Sequence, residues 1–190
     1  MIFDNNDKRI AHWRLRLCRS LDDLPEFPLP EAYRFVFYEP GDRDTWIEIE
    51  QSAKEFETRE QGEAAWARYF GEHEDELPKR MIFVEDASGT KVATATAFYD
   101  TFGRDDSGSA WLHWVSVRND CQGRGLSKPL ICEAFRIMRS LGYSNVIIPT
   151  QTNTWLAAKI YLDLGCQPTQ ENAVESETGW RIVRTLTNHP

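Results

Sequence analysis

The chain has 190 residues, of which 41% are hydrophobic and 27% charged, and its net charge is −8. That size and balance suit one globular domain with enough Trp, Tyr and Phe to fill a core. The acidic bias argues against nonspecific nucleic-acid binding, which needs Lys and Arg to displace counterions; it permits a cationic substrate such as an amine, and no run approaches the roughly 18 apolar residues of a membrane span.

Residues 1–30 read as an extended lead-in to a single domain over 31–190. DNNDKR is polar, and Pro25, Pro28 and Pro30 disfavour regular structure. The first residues lack the apolar run and small-residue cleavage site of a secretory leader. YRFVFYEP (33–40) alternates and predicts a strand. After Pro40-Gly41, Asp42 or Asp44 is placed to cap a helix to about Phe56, with Trp46, Ile49, Ala53 and Phe56 on one face. Residues 60–72 continue helically, and EHEDELPKR is a charged connector.

MIFVED (81–86) and KVATATAFY (91–99) predict two strands joined by the Ala87–Thr90 turn. Residues 100–109 form a loop, and AWLHWVSV (110–117) is a further strand. Leu126, Leu130, Ile131, Ala134, Met138 and Leu141 share one face of a helix that Gly142 ends. SNVIIPT (144–150) is a buried-type strand, Thr154–Leu164 a helix ended by Gly165, and ESETGWRIVRTL a last hairpin. Hairpins mixed with one βαβ crossover imply an α/β fold of the α+β kind: a mixed, mostly antiparallel sheet flanked by helices.

Cys18, Cys121, Cys132 and Cys166 form no C-x-x-C pair, so neither a zinc site nor a disulfide framework is expected. Unpaired thiols fit a reducing, cytoplasmic setting.

The most informative segment is Val117-Arg118-Asn119-Asp120-Cys121-Gln122-Gly123-Arg124-Gly125-Leu126-Ser127. A strand ends, glycines turn the chain, and a helix opens. Glycines let main-chain N–H groups approach a ligand, and the helix dipole favours an anion there. Pro129 fits only a first helical turn, which places the helix start near Leu126 or Ser127. Arg118, Arg124 and Lys128 reverse the local charge. A tight turn without a ligand is the plain alternative. A Rossmann site fits poorly, since only Gly123-x-Gly125 is present, late in the chain; a P-loop is excluded by the missing Gly-Lys-Ser/Thr.

This segment resembles the central motif of the GNAT superfamily of N-acyltransferases, an apolar strand followed by V-x-P-x-x-Q/R-G-x-G-x-G/A. Asn119 stands in place of the usual proline and Ser127 in place of the last Gly/Ala. A second motif, similar to the family's N-x-x-A-x-x-L-Y-x-x-x-G-F, runs from Thr154 to Cys166 and keeps Ala157, Tyr161 and Gly165. Here Thr154 aligns with the usual asparagine and Asn153 lies one residue earlier.

The resemblance implies acetyl-CoA as cosubstrate, without a metal. It places the pantetheine arm along Val115, Ser116 and Val117 and against Asn153 or Thr154. It gives the diphosphate to Gln122, Gly123, Arg124, Gly125, Leu126 and Ser127. Tyr161 is the implied acid for the leaving thiolate. His113 is the candidate base; strand alternation would put it on the face of Val115 and Val117, and an imidazole titrates in a suitable range. Glu48, Glu50 and Glu85 are reserve bases acting through water. Trp46, Phe98, Tyr99, Trp111 and Trp114 are candidates for an acceptor pocket, although aromatics at such periodicity are more often core.

The implied reaction is acetyl transfer to a primary amine of a small molecule by a monomer or homodimer. The alternatives are a protein or peptide N-acetyltransferase and a noncatalytic CoA-binding module.

Overall fold

A computed structural model describes residues 7–98, 108–169 and 173–188. Its strands are β1 (Arg14–Ser20), β2 (Tyr33–Phe37), β3 (Met81–Asp86), β4 (Lys91–Phe98), β5 (Ala110–Val117), β6 (Asn145–Gln151) and β7 (Gln167–Pro168). Its α-helices are α1 (Arg43–Ser52), α2 (Arg59–Tyr69), α3 (Ser127–Ser140), α4 (Trp155–Asp163) and α5 (Ala173–Thr187). The strands form one sheet in the order β2-β3-β4-β5-β6-β1-β7. Every pairing is antiparallel except β5 with β6. The mixed, mostly antiparallel sheet expected from the sequence is therefore the fold.

Two apolar layers hold the sheet. On one face, Trp46 and Ile49 of α1 and Trp66 and Phe70 at α2 pack with Phe83, Phe98 and Trp111. On the other, Leu130, Ala134 and Phe135 of α3, Tyr161 of α4 and Trp180 and Val183 of α5 pack on Leu15, Leu17, Ala93, Ala95 and Ile148. Thr58 starts α2 with a capping box: its hydroxyl accepts the Gln61 amide, and the Gln61 side chain accepts the Thr58 amide.

The expected irregular lead-in over 1–30 does not hold at Arg14–Ser20. This segment is an interior strand between β6 and β7. Its pattern is Leu15 and Leu17 inward with Arg14 and Arg16 on the opposite face, a period of two that arginine's charge disguises. The expected final hairpin is also corrected. Residues 173–187 form α5, whose Trp180 and Val183 are buried one turn apart. Gly179 allows that contact, because a Cβ there would lie 2.7 Å from Leu15 Cδ2. The turn residues in ESETG suggested a hairpin, but packing on β1 decided for a helix. The expected loop at 100–109 lies mostly outside the described residues.

Two local features of β5 create the site. First, β5 pairs with β6 only at Ala110↔Val146 and Trp111↔Ile147, after which the two strands part. Second, β5 bulges. Thr96 pairs with His113 and Thr94 with Ser116, so Trp114 and Val115 together oppose Ala95. Trp114 takes a φ of 54°, a left-handed conformation unusual for a bulky side chain. Its ring is held edge-on by Trp46 at 5.2 Å and Tyr69 at 5.0 Å between centroids.

Candidate active site

The bulge inverts the expected parity of β5. Because residues paired across strands share a face, His113 and Ser116 lie with Thr96 and Thr94 on the α1 side. Val117 belongs to the opposite, α3 side of the core. His113 is therefore not on the face of Val117, as simple alternation predicts; one extra residue in the strand moves it across.

Two cavities flank the parting of β5 and β6. The first, of about 510 Å³, is lined by Val117, Gln122, Gly123, Gly125, Leu126 and Ser127 among others. The second, of about 710 Å³, is lined by His113, Phe98, Trp111, Trp114, Tyr69 and Glu50 among others. Glu55, Val115, Ser116, Thr154, Ala157 and Tyr161 border both, so the cavities meet at these side chains.

The first cavity has the features of a diphosphate cradle. Gly123 and Gly125 adopt φ values of 75° and 79°, and a Cβ on either would meet nothing within 4 Å. The open space on the glycine side is what a close-fitting ligand needs. Among the described residues, the amides of 123–126 meet no main-chain acceptor. Helix α3 begins directly after them at Ser127. A coenzyme A diphosphate fits this loop chemically, since unpaired amides and a helix N-terminus both favour an anion.

Most predicted cofactor residues gather here. Gln122 donates its side-chain amide to the Val117 carbonyl at 3.3 Å, which braces the loop. Arg124 is one exception. It lies outside the lining of this cavity and turns to the Tyr33 hydroxyl at 3.1 Å and the Asp120 carbonyl at 2.9 Å. Arg118 pairs with Asp120 at 3.2 Å, while Lys128 lines the cavity and pairs with Asp163 at 3.3 Å. Of Asn153 and Thr154, only Thr154 borders the two cavities; its hydroxyl lies 3.2 Å from that of Thr150. The Asn153 carbonyl instead accepts the Asp7 amide at 2.9 Å.

Tyr161 is buried at the junction, and burial, followed by the nearby Cys166, pushes its phenol up. His113 is half-buried in an aromatic frame. It stacks on Trp111 at 5.8 Å and meets Phe98 at 5.4 Å and Tyr69 at 5.9 Å, centroid to centroid.

Of the reserve bases, only Glu50 reaches the cavity. Glu48 is exposed, and Glu85 is held by Arg34 with a hydrogen bond of 2.8 Å. Glu50 is fully buried and accepts the Ser116 hydroxyl at 2.6 Å, while its Oε1 meets no partner among the described residues. Burial first, and repulsion from Glu55 second, raise its pKa well above 4.5. Glu55, which the sequence did not single out, borders both cavities, and desolvation raises its carboxyl as well. Lys54 puts it there. With a φ of 68°, Lys54 turns the chain sharply at the end of α1, and the Glu55 amide returns to the Glu50 carbonyl at 3.0 Å. Of the candidate aromatics, Phe98, Trp111 and Trp114 line the second cavity, Trp46 is core, and Tyr99 lies outside the described residues.

The burial of Glu50 predicts a pH-dependent stability. Its folded pKa is raised, so its stabilising contribution is complete below about pH 4.5, the ordinary carboxyl value, and is lost as pH rises through the folded value. Glu50→Gln keeps an acceptor for Ser116 and removes the titration. Its melting temperature should match that of the parent in acid and exceed it in alkali. Calorimetry across pH reads this directly; a constant difference would mean that Glu50 does not titrate in a buried state.

A model described as "Acetyltransferase (GNAT) family" matches residues 43–165. The chain is 27% identical over 163 residues to a mycothiol acetyltransferase of Pseudarthrobacter chlorophenolicus, an alignment covering 80% of this chain and 48% of that protein. It thus spans about half the length of that curated relative. A GCN5-related N-acetyltransferase from Sphaerobacter thermophilus superposes with a TM-score of 0.64 at 23% identity, over 83% of this chain and 49% of that one. The glucosamine N-acetyltransferase region of a fungal GH3 β-N-acetylglucosaminidase superposes with a TM-score of 0.60 at 15% identity, over 82% and 20%. These two likenesses speak to the fold alone.

Proposed function

The chain belongs to the GNAT family of acetyltransferases, and on that premise we propose that it moves an acetyl group from acetyl-CoA to a primary amine of a small molecule. The observation that carries this reading is the meeting of a glycine cradle and a separate side-chain-lined cavity at Tyr161. A transferase needs two substrates on either side of one reacting centre, and this geometry supports such an arrangement.

The amides of 123–126 and the start of α3 hold the diphosphate. The open edge of β5 at Val115 and Val117 accepts the pantetheine arm in the manner of an added strand, and Thr154 hydrogen-bonds to it. Acetyl-CoA bound there supplies a thioester whose carbonyl carbon an amine can attack. Trp114 and Val115 together oppose Ala95 in the bulge, and in this reading a main-chain N–H of the bulge polarises that carbonyl.

An ammonium must lose a proton before it attacks. His113, in the wall of the second cavity, accepts it. Glu55, at the junction, orients the incoming ammonium. Attack leaves an extra proton on the acylated nitrogen; Tyr161 protonates the departing thiolate and regains its proton from that nitrogen as the amide forms, and its raised pKa keeps the phenol in the proton-bearing form before the step.

The test is to measure acetyl-CoA binding by calorimetry and then thiol release with a panel of primary amines. Binding with amine-dependent thiol release is expected. Binding without release from any amine would favour a noncatalytic CoA module, and no binding would remove the assignment.

A further inference from the structure

The first cavity extends past the glycine cradle onto a segment without regular structure. Residues 24–30, between β1 and β2, form neither strand nor helix. Pro25, Pro28 and Pro30 each fix their own φ, so this strap has little conformational freedom to lose. Leu24, Phe27 and Leu29 pack on the α3 side of the core. Arginines fasten both ends. The Asp22 carbonyl accepts Arg139 at 3.1 Å, and the Asp23 carbonyl accepts Arg19. At the other end, Arg124 of the cradle loop donates to the Tyr33 hydroxyl at 3.1 Å, and the Tyr33 amide donates to the Pro30 carbonyl at 2.9 Å. The turn of Arg124 away from the cavity thus ties the strap to the cradle.

The strap puts Phe27 and Pro28 in the cavity wall beside Lys128, whose ammonium lies 5.4 Å from the centre of the Phe27 ring. None of these three residues lines the second cavity. Among the described residues, Lys128 and Glu55 are the charged side chains of this wall, and Glu55 belongs to the junction. Lys128 shares its carboxylate with another lysine: Asp163 meets Lys128 at 3.3 Å and Lys159 at 2.8 Å. Two ammonium groups on one carboxylate leave a positive balance, so an anion that reaches Lys128 meets net attraction.

A coenzyme A whose diphosphate lies on the cradle has two arms. The pantetheine arm must run to the junction, because the thioester has to reach Tyr161. The adenosine arm is attached at the opposite end of the diphosphate and leads away from the second cavity. We propose that Phe27, Pro28 and Lys128 form the seat of this arm, with the ring and the proline against the adenine and Lys128 on the 3′-phosphate. Adenine offers flat faces that pack on aromatic and apolar side chains, and a phosphate monoester answers the positive balance around Asp163. This inference rests on the reading of the loop as a diphosphate cradle and carries it to the far end of the cofactor.

The experiment titrates coenzyme A, 3′-dephospho-coenzyme A and 4′-phosphopantetheine into the full chain by calorimetry, with the weaker ligands read by competition against coenzyme A. The parent should bind coenzyme A about fivefold or more tighter than the dephospho form, the size of one charge-assisted contact at a partly exposed site. Lys128→Gln should bring that ratio toward one. Phe27→Ala should weaken coenzyme A and its dephospho form alike, by about tenfold, the size of a base-on-aromatic contact. It should leave 4′-phosphopantetheine as in the parent. Thermal melts accompany each variant. If alanine unfolds the chain, Phe27→Leu keeps an apolar anchor on the core, removes the ring and should show the same selective loss. If 4′-phosphopantetheine does not compete at all, adenosine 3′,5′-bisphosphate replaces it: competition that Phe27→Ala or Phe27→Leu weakens supports the seat, and no competition sinks it. Equal affinity of the parent for coenzyme A and its dephospho form, or an unchanged ratio in Lys128→Gln, would remove the phosphate contact from the seat. Unaltered coenzyme A affinity in the Phe27 variant, or an equal loss for 4′-phosphopantetheine, would overturn the inference. A parent that binds none of these ligands would instead sink the cradle reading, and the seat with it.

Discussion

Tyr161→Phe should lower kcat by about 100-fold or more while leaving acetyl-CoA affinity within about twofold. The ring is buried on α4 where both cavities meet, and phenylalanine preserves its packing. In the proposed mechanism, what disappears is one proton donor beside the leaving sulfur. Burial, then Cys166 and the two glutamates, pushes the phenol above its ordinary value of 10.0. The parent should therefore keep its acid form throughout the neutral and mildly alkaline range, and the variant's deficit should not vanish anywhere within it. Single-turnover kinetics with a reactive amine, beside calorimetry with acetyl-CoA, separates the two effects. Equal turnover would remove the acid role; a parallel loss of affinity would make Tyr161 a binding residue instead.

Gly125→Val should weaken acetyl-CoA binding by about 100-fold or more, because its side chain would occupy the ground the diphosphate needs. The residue sits at a φ of 79°, and a Cβ there would touch no protein atom within 4 Å. The chain can thus still fold around the valine, with a strain cost of about 1–3 kcal/mol for a left-handed conformation. Gly89→Val is the matched control. Gly89 has a φ of 83° and equally open surroundings, but it lies in the turn between β3 and β4. It should lose comparable stability and bind acetyl-CoA normally. Calorimetric titration and thermal melts on both variants make the comparison. Undiminished binding by Gly125→Val would mean that the loop is not the cradle; an equal loss in Gly89→Val would trace the defect to strain.

The legible parts of this protein were those with a local signature. The strand–glycine–helix run from Val117 to Ser127 was visible because a phosphate cradle is made by consecutive residues. The faces of α3 and the hairpin of β3 and β4 were visible because their periodicity is short-range. β1 was missed because Arg14 and Arg16 alternate with Leu15 and Leu17 and make the segment look polar until the folded sheet shows a cavity beside them. α5 was missed because its turn-like residues outweighed two buried positions that only packing against Leu15 reveals.

The site divides along the same line. Tyr161, Gly123 and Gly125 lie in contiguous motifs, so residue order alone marks them as candidates. Glu55 did not, since its position depends on the left-handed turn at Lys54. The face of His113 did not either, because a bulge is a relation between two strands and leaves no mark in one of them. Linear spacing was enough to identify the family and to single out the candidate anion-binding loop, whose physics is that of adjacent main-chain groups. The acceptor side came only from the folded sheet, where the parting of β5 and β6 brings α1, β1 and α4 around one space. Those elements are far apart along the chain, and their charges acquire meaning only once the core has set them face to face.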